Sequence, residues 1–149
     1  MPNHPLQIKD IVVPIDGSRA SLEALTLACF LAKRNKGTIF AVYVIEVART
    51  MALDAELSAE AERGEAILAE AERLAEELDY RESVFGELLQ ARESGHAIVD
   101  EASERGVSAI VMGVSYSRDL GEYELGHAAQ FVLKNALCQV ILARSAAQE

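Results

Sequence analysis

The chain has 149 residues, enough for one domain over 1–149, and half of them are hydrophobic while 26% are charged, which is the composition of a globular chain and not of a disordered one. Acidic residues outnumber basic ones 24 to 14, and the formal net charge of −10 argues against a general binder of nucleic acid or anionic membrane surface. No window of about eighteen uninterrupted apolar residues exists to enter a bilayer, and Met1 to Lys9 lacks a signal-peptide layout. Cys29 and Cys138 form neither a C-x-x-C motif nor a disulfide framework, so a cytoplasmic location is expected.

Asp10 to Ile15 is a short apolar run rich in β-branched residues, as in a strand buried on both faces. The turn Asp16-Gly17-Ser18 follows, with Ser18 as N-cap of a helix from Arg19 to Asn35 that places Leu22, Leu25, Cys29 and Ala32 on one stripe. Thr38 to Ile45 reads as a second buried strand. Ala48 to Asp79, rich in Ala, Glu and Leu, predicts a mostly helical segment, frayed at its start. Ten acids against Arg63 and Arg73 between Asp54 and Asp79 suit a solvated helix face or, alternatively, an acidic docking surface. Glu82 to Ala91 is read as a strand bulged at Gly86. His96 to Arg105 is the next helix, with Ala97, Ile98 and Ala102 turned inward, and Ala109 to Met112 the next strand. A polar loop from Val114 to Leu125, a helix from Gly126 to Asn135 and a strand from Gln139 to Ala143 complete the pattern.

Strands alternating with helices imply an α/β fold, a doubly wound parallel sheet with helices on both faces. In such sheets ligands sit beyond the carboxyl ends of the strands, where the strand order reverses. Two strand ends carry suitable groups. One is Pro14-Ile15-Asp16-Gly17-Ser18; the other is Met112-Gly113, the polar loop, and Gly126 opening a helix. A helix start offers free N–H groups to phosphate, glycine lets backbone come close, and Asp16 has an acceptor for an adenine amino group or a ribose hydroxyl. Asp16 is equally a turn residue, and Gly113 and Gly126 are equally structural glycines. No H-x3-H or H-E-x-x-H spacing points to a metal, and no P-loop or G-x-G-x-x-G is present.

At these residues the sequence resembles the universal stress protein family. The resemblance runs through I-V-V-P-I-D-G-S near the start, A-V-Y-V-I-E in the second strand, S-A-I-V-M-G, and L-G-H-A-A-Q-F-V-L-K-N-A-L-C-Q-V-I-L-A near the end. It implies a five-stranded sheet of order 3-2-1-4-5, Rossmann-like, of the adenine nucleotide alpha hydrolase-like kind. It also implies an adenine-nucleotide site, for ATP or a relative, at Pro14, Ile15, Asp16, Val44, Met112, Gly113, Gly126, His127 and Ala128. Nucleotide-binding members carry G-x2-G-x9-G-[S/T]. Here the frame is Gly113, Val-Ser, Tyr116, nine residues, Gly126, His127. Tyr116 thus replaces a glycine, adding bulk where backbone would pass the phosphates. His127 replaces a hydroxyl residue, although a protonated imidazole there would pair with phosphate.

The resemblance implies a non-catalytic stress-response regulatory module. Members commonly pair their last strands, and Gln139 to Ala143, apolar and without charge or proline, is an edge that calls for a partner; a homodimer is expected. A nucleotide-free interaction module, docking an unknown protein partner such as a membrane transporter, is the alternative. A slow ATP-hydrolysing enzyme ranks last, because no residue is an evident general base.

Overall fold

The apolar runs pair into one sheet. The computed structural model describes residues 7–116 and 126–147. In chain order the elements are β1 (Ile11–Pro14), α1 (Arg19–Lys33), β2 (Ile39–Glu46), α2 (Ser58–Glu77), a 3-10 turn (Arg81–Ser83), β3 (Val84–Ala91), α3 (Ser94–Arg105), β4 (Ala109–Val114), α4 (His127–Asn135) and β5 (Gln139–Arg144). The five strands are parallel in the order β3-β2-β1-β4-β5, as expected.

Both faces of the sheet are covered, which is why the strands carry no polar alternation. Val13, Ile15 and Val111 pack with Leu25 and Cys29 of α1 and Leu68 of α2. Their strand neighbours Val12, Val42 and Ile110 pack on the opposite face with Ile98 of α3 and Val132 of α4. Helix α1 presents Ala20, Ser21, Ala24, Ala28 and Ala32 to the sheet, small residues that let it lie close, while Leu22 of the predicted stripe is only half-buried. Helix α2 buries Gly64, Leu68, Ala71 and Ala75. Among the described residues no helix is long and apolar enough to cross a membrane.

Four local expectations are sharpened or corrected. The segment read as mostly helical from Ala48 with a frayed start is helical from Ser58. The carbonyls upstream are taken by side chains of the β3 end: Arg92 Nη1 donates to Ala48 O at 2.5 Å and Met51 O at 2.9 Å, and Gln90 Nε2 to Leu53 O at 2.9 Å and Ala55 O at 3.1 Å. Those oxygens leave the helical ladder, and propensity loses to a tertiary clamp. The bulge at Gly86 does not form either. Gly86 pairs in unbroken register with Ala41, and its bare backbone faces Leu68 of α2. Helix α3 begins at Ser94 instead of His96, because the Glu46 carboxylate, at the end of β2, accepts the Ser94 N–H at 2.9 Å. Finally, β4 and β5 run on to Val114 and Arg144, pairing Gly113 with Ala143 and Val114 with Arg144. The rest of the predicted loop, 117–125, lies outside the described residues.

Candidate functional site

The cleft follows from the register. Strand β1 pairs with β4 only at Ile11–Ala109 and Val12–Ile110, after which β4 continues to Val114 beside β5. On its other side β1 last pairs at Pro14–Val42, with the Ile15 N–H reaching Val42 O at 2.8 Å, while β2 continues to Glu46. Both neighbours therefore overhang the end of β1. The space left is a cleft of about 190 Å³ at the switch point of the sheet.

Seven of the nine expected residues line this cleft: Pro14, Ile15, Asp16, Val44, Met112, Gly113 and Ala128. Gly126 and His127 lie just outside it, as N-cap and first residue of α4, whose inward-turned Ala128 is part of the lining. Val42, Tyr43, Ser21, Ser94 and Ile98 complete the wall and were not anticipated. Val42 and Tyr43 were reachable, as strand neighbours of Val44. Ser94 was not, because its place depends on a helix start fixed by Glu46 across 48 residues of sequence.

Asp16 is exposed at the rim. Its Oδ1 accepts the Ser18 N–H at 2.9 Å, and its own N–H reaches Ser21 Oγ at 3.4 Å. Burial of part of the carboxyl pushes its pKa up, but the hydrogen bonds from Ser18 and Ser21 outweigh this and hold it below the ordinary carboxylate value. An ionised acceptor thus stands at the mouth, matched to a hydroxyl or amino donor.

Gly113 has a structural duty as well as a place in the wall. A Cβ there would lie 2.2 Å from Ala20 O and 2.8 Å from Ser21 N, so only glycine lets the first turn of α1 pack on β4. Gly126 is different: a Cβ there would meet nothing within 4 Å among the described residues. Its side carries no capping group, so the first N–H groups of α4 receive no side-chain cap. Exposed His127 follows it.

Tyr116 does not line the cleft. Its N–H donates to Ser145 Oγ at 3.1 Å, and its ring lies 4.9 Å from the Arg144 guanidinium carbon, at the end of β5. The Tyr116 ring thus packs on Arg144 at the end of β5. The thiols are poor nucleophiles: burial pushes Cys29 up to about 11, against a smaller opposing effect of Lys33, and raises Cys138 too.

A larger groove of about 710 Å³ lies between α3 and β3, lined by Leu89, Arg92, His96, Asp100 and Glu104 among others. Arg92 there donates to loop carbonyls and His96 pairs with Glu93 at 2.8 Å, while Asp100 and Glu104 leave the lining mixed in charge. Position decides for the smaller cleft, which combines three strand ends and a free helix start.

A parallel sheet whose central strand stops short of both neighbours, leaving a crevice between α3 and α4, defines the doubly wound α/β class that seats ligands at the switch point. The chain belongs to the universal stress protein family, whose model matches residues 7–144. It is 33% identical over 147 residues to Universal stress protein MJ0531 of Methanocaldococcus jannaschii, an alignment covering 95% of this chain and 85% of that one. Its fold is similar to that of Universal stress protein UspA from Lactobacillus plantarum, with a TM-score of 0.76, 26% identity and coverage of 93% and 99% of the two chains. It is also similar to the universal stress protein from Archaeoglobus fulgidus in complex with dAMP, with a TM-score of 0.67, 22% identity and coverage of 91% and 98%.

Proposed function

We propose that this chain is a non-catalytic, stress-response regulatory module of the cytoplasm that holds an adenine nucleotide, ATP or a relative, at the ends of β1 and β4. The observation that carries the reading is the cleft itself, with an ionised Asp16 on one lip and the uncapped start of α4 on the other. At about 190 Å³ it takes a nucleobase and not a whole nucleotide, since sites for drug-sized ligands run to roughly 300 Å³ and more. The ribose then emerges past Asp16, whose carboxylate accepts from a hydroxyl, and the phosphates reach the N–H groups after Gly126. Apolar Ile15, Val44, Met112 and Ile98 suit the faces of a purine. The dAMP complex of the Archaeoglobus relative supports the choice of ligand.

The reading assigns binding and not turnover. Asp16 is the sole carboxylate of the described lining, and it is occupied as a turn acceptor. The second part of the proposal is a homodimer through β5. Val140, Ile141, Leu142 and Ala143 are half-buried, and β5 pairs only with β4 among the described residues, so its outer edge suits a second copy.

Calorimetry with ATP and magnesium is expected to give one site per chain, and native mass spectrometry a nucleotide carried through purification. Light scattering at micromolar concentration is expected to give twice the chain mass. No heat with ATP and no carried nucleotide would replace the reading by a nucleotide-free interaction module; a monomer would remove the dimer.

A further inference from the structure

Ser94 has a hydroxyl whose hydrogen is already spoken for. It sits in the first turn of α3 and lines the cleft beside Ile98 and Val44. Its Oγ donates to Glu46 Oε2 at 2.9 Å, and its N–H donates to the same oxygen at 2.9 Å. A carboxylate is a strong acceptor, and a hydroxyl has only one hydrogen to give. What Ser94 Oγ can turn to the cleft is therefore lone pairs alone.

We propose that Ser94, locked as an acceptor by Glu46, is the base-specificity residue of the cleft and selects purines with an amino group at position 6 over those with a 6-oxo group. This rests on the adenine-nucleotide reading and adds a residue and a rule to it. A 6-amino group donates a hydrogen, which Ser94 Oγ accepts. A 6-oxo group brings a second acceptor against the first, and both are left without a hydrogen inside a half-buried wall. Asp16, exposed at the mouth, meets the sugar and is indifferent to this exchange.

ATP and inosine triphosphate differ only in this edge of the base, so their ratio of affinities reads the rule. Calorimetry on the full chain is expected to favour ATP by roughly tenfold or more, the effect of one mismatched polar pair. Ser94→Ala removes the oxygen but keeps the backbone N–H that Glu46 caps, so α3 retains its start. In that variant ATP weakens, the clash with the 6-oxo group is relieved so that inosine triphosphate binds no worse or better, and the ratio falls toward one. Glu46→Ala frees the hydroxyl to donate, and binding of inosine triphosphate rises. Asp16→Ala weakens both nucleotides equally. Equal affinities in the unaltered chain, or a ratio that survives Ser94→Ala while ATP still binds, overturn the role of Ser94 and leave the nucleotide site standing. Binding of neither nucleotide to the unaltered chain overturns the site and this rule together.

Discussion

Helices α1 and α4 both start at the carboxyl ends of neighbouring strands, yet one start is closed and the other open. At α1, Ser18 Oγ accepts the Ser21 N–H at 3.1 Å, Ser21 Oγ donates back to Ser18 O at 2.8 Å, and Asp16 holds the Ser18 N–H at 2.9 Å. The turn is further pressed against Gly113. At α4, Gly126 provides the cap position without a capping side chain, and among the described residues nothing lies within 4 Å of the place a Cβ would take. A helix start binds an anion through donors its own chain has left unused, so position at the sheet's edge is not enough. α1 builds the cleft; α4 is left to serve what enters it.

The largest effect should come from forcing the two regions apart. Gly113→Val would put a Cβ where Ala20 O and Ser21 N now lie, and backbone cannot swing aside as a side chain can. Overpacking of this kind costs about 1–3 kcal/mol or more, and urea unfolding should show a lowered midpoint with ATP binding lost. An unchanged midpoint would mean that α1 does not press on β4. Next comes Ser18→Ala, which removes the cap of α1 and should cost about 1 kcal/mol in the same measurement.

The sequence made the framework legible because that framework is set by local pattern. Ile11 to Pro14, Ile39 to Glu46 and Ala109 to Val114 are apolar runs with no competing period, and the helices between them have room for right-handed crossovers. With the strand order, Asp16, Val44, Met112 and Gly113 had to meet. What sequence could not reveal was set by contacts far along the chain. Arg92 and Gln90 unwound the start of the second helix, and Glu46 moved the start of the third, turning Ser94 into the wall. The place of the Tyr116 ring was hidden for a similar reason: it lies on Arg144, a partner supplied by the register of β4 with β5. Pattern reports which elements form, whereas side chains that cap, clamp or stack across the sheet decide where each begins and which residues face the site.

The open helix start can be closed by one substitution. Gly126 has a φ of −61° and a ψ of 160°, which any L residue adopts, so Gly126→Ser should enter without strain. Its hydroxyl would cap α4 and raise stability by a few tenths of a kcal/mol, about the difference between Gly and Ser caps. The same hydroxyl occupies the donors assigned to phosphate, so ATP should bind more weakly while adenosine, which has no phosphate, is unaffected. Equal loss for both would place the phosphates elsewhere.

The smallest expected effect is that of pH on the closed turn. Hydrogen bonds from Ser18 and Ser21 hold Asp16 below the ordinary carboxyl value, against the opposing pull of burial. A carboxyl whose pKa is lower folded than unfolded stabilises the fold fully above the unfolded value, and the contribution fades as pH falls through the folded one. Asp16→Asn should therefore flatten the fall of the melting temperature below about pH 4 and leave the neutral plateau lower. The shift is small because Asp16 is exposed and solvent screens it. ATP binding tracks the same titration with a larger amplitude, since a protonated carboxyl no longer offers an ionised acceptor to the ribose. A melting profile of Asp16→Asn that parallels the unaltered chain through the acid range would show that the turn draws nothing from the charge, and that Asp16 serves the ligand alone.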